Sequence, residues 1–387
     1  MSRRNLIAIL LLWLAGLALR LTVLAVPPVT PQITAELKLS ATGIGILGGL
    51  PIVLFALAAV PGALLISRVG AYRTLLIGLM LNAIGCALRG AAPDALTLYA
   101  MTALMAAGIA MMQPSLPALV RQWTPAHVGF GTAVFTNGLL VGEIFPVALT
   151  LPVVVPLVGG SWRLALVAWA IPVLLIAAVV MLLRPPTPKV ELRIPARWWP
   201  NWHDPLLWKL GLTFGTVNAM YFAVNAFLPD YLTTLNRADL ISSALTAVNF
   251  GQLPASLLML ALANKLQGRT WPFGIMGIAA LLSVIGLATT NGFWLLASAA
   301  LLGFCCAGVL VLALALPPLL YPPEDVPRVS AAMFTLSYGC AVVVPVVSGV
   351  LWDVSGVPAL AFVPIGLCAV LLIAWTPTFK FVPRGAQ

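Results

Sequence analysis

Charge is what this chain has least of. Of 387 residues only 8% are Asp, Glu, Lys or Arg, while 61% are hydrophobic. A soluble domain carries about 25% charged residues, so a soluble globular protein is excluded and a lipid-embedded one expected. Histidine occurs twice, at His127 and His203 in loop-like stretches, which leaves little for a metal centre. The five cysteines, Cys86, Cys305, Cys306, Cys340 and Cys368, all fall within apolar runs. They read as reduced packing residues with no disulfide framework. Gly-x-Ser-x-Gly, His-Glu-x-x-His and a phosphate-cradling glycine loop are missing, which argues against an enzyme and against a nucleotide-driven pump. The formal charge of +10 is spread along the chain, so nucleic acid is not an expected partner. No metal and no cofactor is expected.

What is present is a series of apolar runs near 20 residues long, without the alternation of a membrane barrel. Twelve helical spans are expected, at about 6–28, 42–66, 74–92, 96–121, 129–156, 163–184, 206–230, 239–263, 272–290, 292–320, 329–352 and 358–376. Arg3 and Arg4 before the first run suggest a signal peptide, but the run is too long and lacks a small-residue cleavage site. A retained first span is expected instead. With the N-terminus inside, Lys38, Arg89, Arg163 and Arg237 fall outside and Arg20 within the membrane. The other 15 of the 20 basic residues fall on the cytoplasmic side, so both termini are expected in the cytoplasm.

The longest loop, residues 185–205, is rich in proline and basic residues and holds Trp198, Trp199 and Trp202. It is expected to separate an N-terminal six-helix bundle, 1–184, from a C-terminal one, 206–387. The halves repeat. Pro27 and Pro229 lie 202 residues apart, Pro51 and Pro254 203, Pro117 and Pro317 200, and Pro146 and Pro345 199. Six spans per half is an even number, so both halves enter from the same side as a parallel repeat. A substrate site is then expected between them near the midplane.

Several stretches carry a resemblance. Ser67-Arg68-Val69-Gly70-Ala71-Tyr72-Arg73 is similar to the loop signature of the major facilitator superfamily, with Ser67 where an acidic residue is usual. Leu116-Pro117-Ala118-Leu119-Val120-Arg121, Leu19-Arg20, Tyr221 with Leu228-Pro229, and Gly160-Ser161-Trp162-Arg163 resemble its cyanate permease and 2-nitroimidazole transporter family. The resemblance implies the major facilitator fold, with spans one and five as neighbours. It further implies a monomeric carrier of the bacterial inner membrane working by alternating access.

The chemistry-bearing residues are few. Arg20 lies about 21 Å along a helix begun at Leu6, well inside a hydrocarbon core of roughly 30 Å. A guanidinium there costs at least about 2.5–3.5 kcal/mol and cannot shed its proton, so it needs an internal acid or a polar cavity. Glu143, counted from Gly129, reaches the same level. At the repeat offsets the two correspond to Phe222 and Val342, so the charge belongs to one half alone, which weakly favours function over a pair demanded by the fold. Asn218, Tyr221 and Asn225 share one face of the seventh span, with Asn218 about 20 Å from Pro205. These residues, with Phe222 and Gln113, are the expected substrate contacts, and Glu143 is the expected proton carrier.

Two readings stay open. A small anion such as cyanate would bind Arg20 when Glu143 takes up a proton. In the other, a neutral heteroaromatic compound would stack on Phe222, Tyr221 and Trp13 and leave in exchange for protons.

Overall fold

The computed structural model describes residues 3–39, 41–183, 198–266 and 268–376, and every regular element among them is helical. The elements are α1 (Arg3–Ala18), α2 (Thr30–Leu37), α3 (Ala41–Val69), α4 (Ala71–Gly90), α5 (Ala95–Met112), α6 (Ser115–Trp123), α7 (Val128–Leu149) and α8 (Val155–Leu157). They continue as α9 (Trp162–Leu182), α10 (Pro205–Thr234), α11 (Ile241–Leu266), α12 (Trp271–Thr289), α13 (Gly292–Leu320), α14 (Val326–Ser355) and α15 (Phe362–Trp375). Among the described residues, ten helical stretches are long and apolar enough to cross a membrane. The two that complete the twelve are α1, which has only 16 residues, and α10, whose apolar run is interrupted by Lys209, Asn218, Tyr221 and Asn225. These are the opening helices of the two halves: Arg20 lies in the turns just beyond α1, and Asn218, Tyr221, Phe222 and Asn225 lie on α10.

The first span differs from the expected single helix over 6–28. The helix stops at Ala18, and turns lead to a short 3-10 segment, Pro27–Val29, and then to α2. The amides of Leu19 and Arg20 donate three residues back, to the carbonyls of Gly16 and Leu17 at 3.1 and 3.2 Å, which tightens the last turn. Beyond it, Pro27 and Pro28 have no N–H to offer the carbonyls of Val23 and Leu24, so an α-helix through this stretch would be incomplete. The matching helix of the second half, α10, runs unbroken over 30 residues with Pro229 inside it. Proline also marks the interruption between α5 and α6, at Pro114, and Pro152 falls in the π-helical turn Thr150–Val154 joining α7 to α8.

Helices meet through glycine. A methyl group added at Gly16 would run into the Phe135 carbonyl, and one at Gly138 or Gly142 into the carbonyls of Trp13 and Leu17. Span one therefore lies backbone against backbone on span five, as small residues allow in membranes. The second half repeats the device between α11 and α13, where Gly251 meets Ala300 and Gly303 meets Val248.

The chain divides into two compact units, residues 1–200 with 322–335, and residues 201–321 with 336–387. Of the connecting loop, residues 185–197 lie outside the described residues. So do residues 377–387, and with them several basic residues that bear on orientation. In the described part of the loop Trp198 and Trp199 pack edge to face at 5.3 Å, and the Trp208 indole N–H donates to the Trp202 carbonyl. Asp204 caps α10 by accepting from the Leu206 amide at 2.9 Å and also accepts from the Tyr321 hydroxyl at 2.8 Å. All five cysteines are free thiols.

Candidate functional site

The close approach of α1 and α7 sets the first unit's charged pair. With Gly142 against the Leu17 backbone, the residue after Gly142 faces the turn that follows α1. Arg20 Nε lies 3.1 Å from Glu143 Oε1, with the two side chains only 10% and 14% exposed. The guanidinium also lies over the Phe55 ring of α3, 5.6 Å from its centroid, within cation–π range. About two turns below, the Trp13 indole N–H donates to Asn137 Oδ1 at 2.9 Å. Trp13 is thus tied to the fifth span.

Arg20 lies in the turns just after the first span's helix ends at Ala18, and α4 supplies bonds to this stretch. Asn82 Nδ2 donates to the Ala18 carbonyl at 2.9 Å, and Thr22 Oγ1 donates to Asn82 Oδ1 at 2.6 Å. An Arg89 terminal nitrogen donates to the Thr22 carbonyl at 2.7 Å. Arg89 lies in the last turn of α4 at 1% exposure, with its guanidinium spent on the broken span. Asn82 and Arg89 were missed as site-forming residues. Their signal in the sequence was two polar residues seven apart, on one face of an otherwise apolar helix.

Gln113 is buried at the C-terminus of α5, where the fourth span is interrupted before Pro114. In the second unit the seventh-span stripe divides into two groups. Asn218 Nδ2 donates to Ser337 Oγ at 2.7 Å. The Tyr221 hydroxyl donates to Asn249 Oδ1 at 2.6 Å, while Asn249 Nδ2 reaches Asn225 Oδ1 at 3.4 Å and the Leu245 carbonyl at 2.8 Å. Asn225 Nδ2 donates to the Tyr221 carbonyl at 2.8 Å. Asn218, Tyr221, Phe222 and Asn225 are all half-buried, and Phe222 packs edge to face on Tyr221 at 5.3 Å.

A third cluster explains the Gly160-Ser161-Trp162-Arg163 stretch. Glu36 of α2 accepts from the Trp162 indole N–H at 2.6 Å and from Arg163 Nε at 2.9 Å. Arg163 also donates to the Ala92 carbonyl. The Trp162 bond first, then Arg163, hold the Glu36 carboxyl below its ordinary value. Glu36 was not singled out from the sequence, since its partners lie more than 120 residues away.

An all-helical fold of membrane-crossing length, with a buried ion pair where one span unwinds, is that of a polytopic membrane protein. The Major Facilitator Superfamily profile matches residues 11–244 and 210–385, and the chain belongs to that superfamily. Its members carry solutes and are not enzymes. The chain is 27% identical to the cyanate transport protein CynX of Escherichia coli (strain K12), covering 97% of each. It is 25% identical to the 2-nitroimidazole transporter of the same organism, over 69% of this chain and 67% of that one. Two solved structures share the fold at 14% identity. The proton:xylose symporter XylE bound to 6-bromo-6-deoxy-D-glucose has a TM-score of 0.78, covering 98% of this chain and 96% of that one. The human organic anion transporter MFSD10 has 0.74, covering 97% and 100%.

Proposed function

We propose that the protein is a secondary active transporter that carries a small anion such as cyanate across the bacterial inner membrane by alternating access, coupled to protons. The observation that carries this reading is the buried Arg20–Glu143 pair at 3.1 Å, set where the first span is broken. Full-length similarity to a cyanate transport protein supports the substrate class.

Arg20 remains a cation in any surroundings, so its position always calls for a negative partner. Glu143 is that partner in this structure. When Glu143 takes up a proton its charge disappears, and an anion takes its place on Arg20. One proton and one anion then cross together, and the buried charge stays balanced throughout. Gln113 and the Asn218, Tyr221 and Asn225 stripe supply neutral hydrogen-bonding groups for the same solute, and Phe222 an apolar wall. The two six-helix halves, 1–184 and 206–387 joined by 185–205, are the moving bodies, with both termini in the cytoplasm. The carrier works as a monomer.

A second reading is export of a neutral heteroaromatic compound in exchange for protons. The edge-to-face Tyr221–Phe222 pair and the similarity to a 2-nitroimidazole transporter favour it. Uptake into proteoliposomes, acidic outside, separates the two. Cyanate accumulation lost in Arg20→Ala and retained at weaker affinity in Arg20→Lys supports the anion reading. Efflux of preloaded 2-nitroimidazole driven by the same inward proton gradient, with no cyanate uptake, supports the second.

A further inference from the structure

A guanidinium at 1% exposure needs a reason, and Arg89 has an unusual one. Among the described residues no carboxylate forms an ion pair with it, and its bonded partners are the Thr22 carbonyl and Cys86 Sγ, at 2.7 and 3.2 Å. Asn82, two turns earlier on the same face of α4, is fully buried and bonds both the Ala18 carbonyl and the Thr22 hydroxyl. Ala18 and Thr22 stand two residues before and two after Arg20. Broken backbone at membrane depth is tolerated only where neighbouring side chains meet the freed carbonyls. A continuous first helix would need neither of these polar residues on α4.

We propose that Asn82 and Arg89 are positioning residues: they pin the unwound segment on both sides of Arg20 and so fix where its guanidinium is presented. This inference rests on the reading of Arg20 as the anion ligand. Arg89 is bound to backbone and does not contact the solute; it acts through Arg20. Cys86, between the two on the same face, adds a bond from its thiol to the Leu166 carbonyl at 3.2 Å, which ties this face of α4 to the sixth span.

Two measurements on the purified full-length chain test it. The first is amide hydrogen exchange in detergent over residues 18–25. Arg89→Gln and Asn82→Ser are expected to speed exchange there, with the rest of the first unit unchanged and with Arg89→Lys, which keeps a cationic donor, close to wild type. Unaltered exchange in both variants overturns the proposal, and so does exchange raised throughout the unit. This readout involves no substrate, so it decides the positioning role even when cyanate is not transported and the functional reading fails. The second is the KM for cyanate uptake. Arg89→Gln is expected to raise it about tenfold, the size of one lost charge-assisted hydrogen bond. In the Arg20→Lys background the same change is expected to have little effect, because a flexible lysine depends less on where its backbone is held. An equal factor in both backgrounds means independent action and contradicts positioning. Should Arg89→Gln fail to fold, Asn82→Ser and Arg89→Lys serve in both measurements.

Discussion

At the scale of single residues, the argument turns on charges that cannot leave. A buried ion pair contributes little net stability, but removing one partner leaves the other uncompensated at a cost of about 3–5 kcal/mol. Glu143→Ala is therefore expected to lower the melting temperature of the detergent-solubilised protein more than Glu143→Ala combined with Arg20→Met, a difference a thermal melt resolves directly. Glu36 makes a prediction about pH. Its carboxyl is held below the usual carboxylate range by Trp162 and Arg163, so its bonds to the sixth span stabilise the fold above the ordinary value. They are lost as pH falls through the lowered one. The melting temperature of Glu36→Gln is expected below wild type near neutral pH. The gap should close only under conditions more acidic than the usual carboxylate value. Of these residues, Arg20 and Glu143 could be read from the sequence, because each is a lone charge in an apolar run and the helical rise puts both at one height. Glu36 could not, since its meaning depends on partners that only the folded chain brings near.

At the scale of elements, the interrupted first span is what the sequence concealed. Leu19 to Val26 stays apolar apart from Arg20 and Thr22, so hydropathy runs smoothly through a place where the helix ends at Ala18. The prolines at 27 and 28 were visible, but they read as the end of a span and not as a cause of unwinding upstream. The contact of spans one and five was expected only from the family resemblance, and glycines at positions 16, 138 and 142 give it a physical basis. Gly138→Val is expected to push α1 off α7, at a cost of about 1–3 kcal/mol from overpacking. Thermal melts should show a lowered midpoint. Cyanate affinity should fall as well, because Arg20 and Glu143 sit at the end of that contact. A melt unchanged from wild type would mean the helices meet elsewhere.

At the scale of the whole molecule, the internal repeat places equivalent helices at the start of each half, and the two have diverged. The first is broken and charged, whereas α10 is continuous and carries neutral amides and a phenol. On the anion reading, that difference puts the solute's counter-charge in the first half. If a proton and an anion cross together, each cycle moves no net charge. Uptake is then expected to follow an imposed pH gradient and to ignore a potassium-diffusion potential of either sign. A rate that scales with that potential would require a different stoichiometry. The most direct test of the central claim is equilibrium binding of cyanate to purified protein, followed by ligand-induced thermal stabilisation in wild type and in Arg20→Ala. The account predicts a cyanate-dependent rise in melting temperature for wild type and none for Arg20→Ala. Equal stabilisation of the two proteins would contradict it.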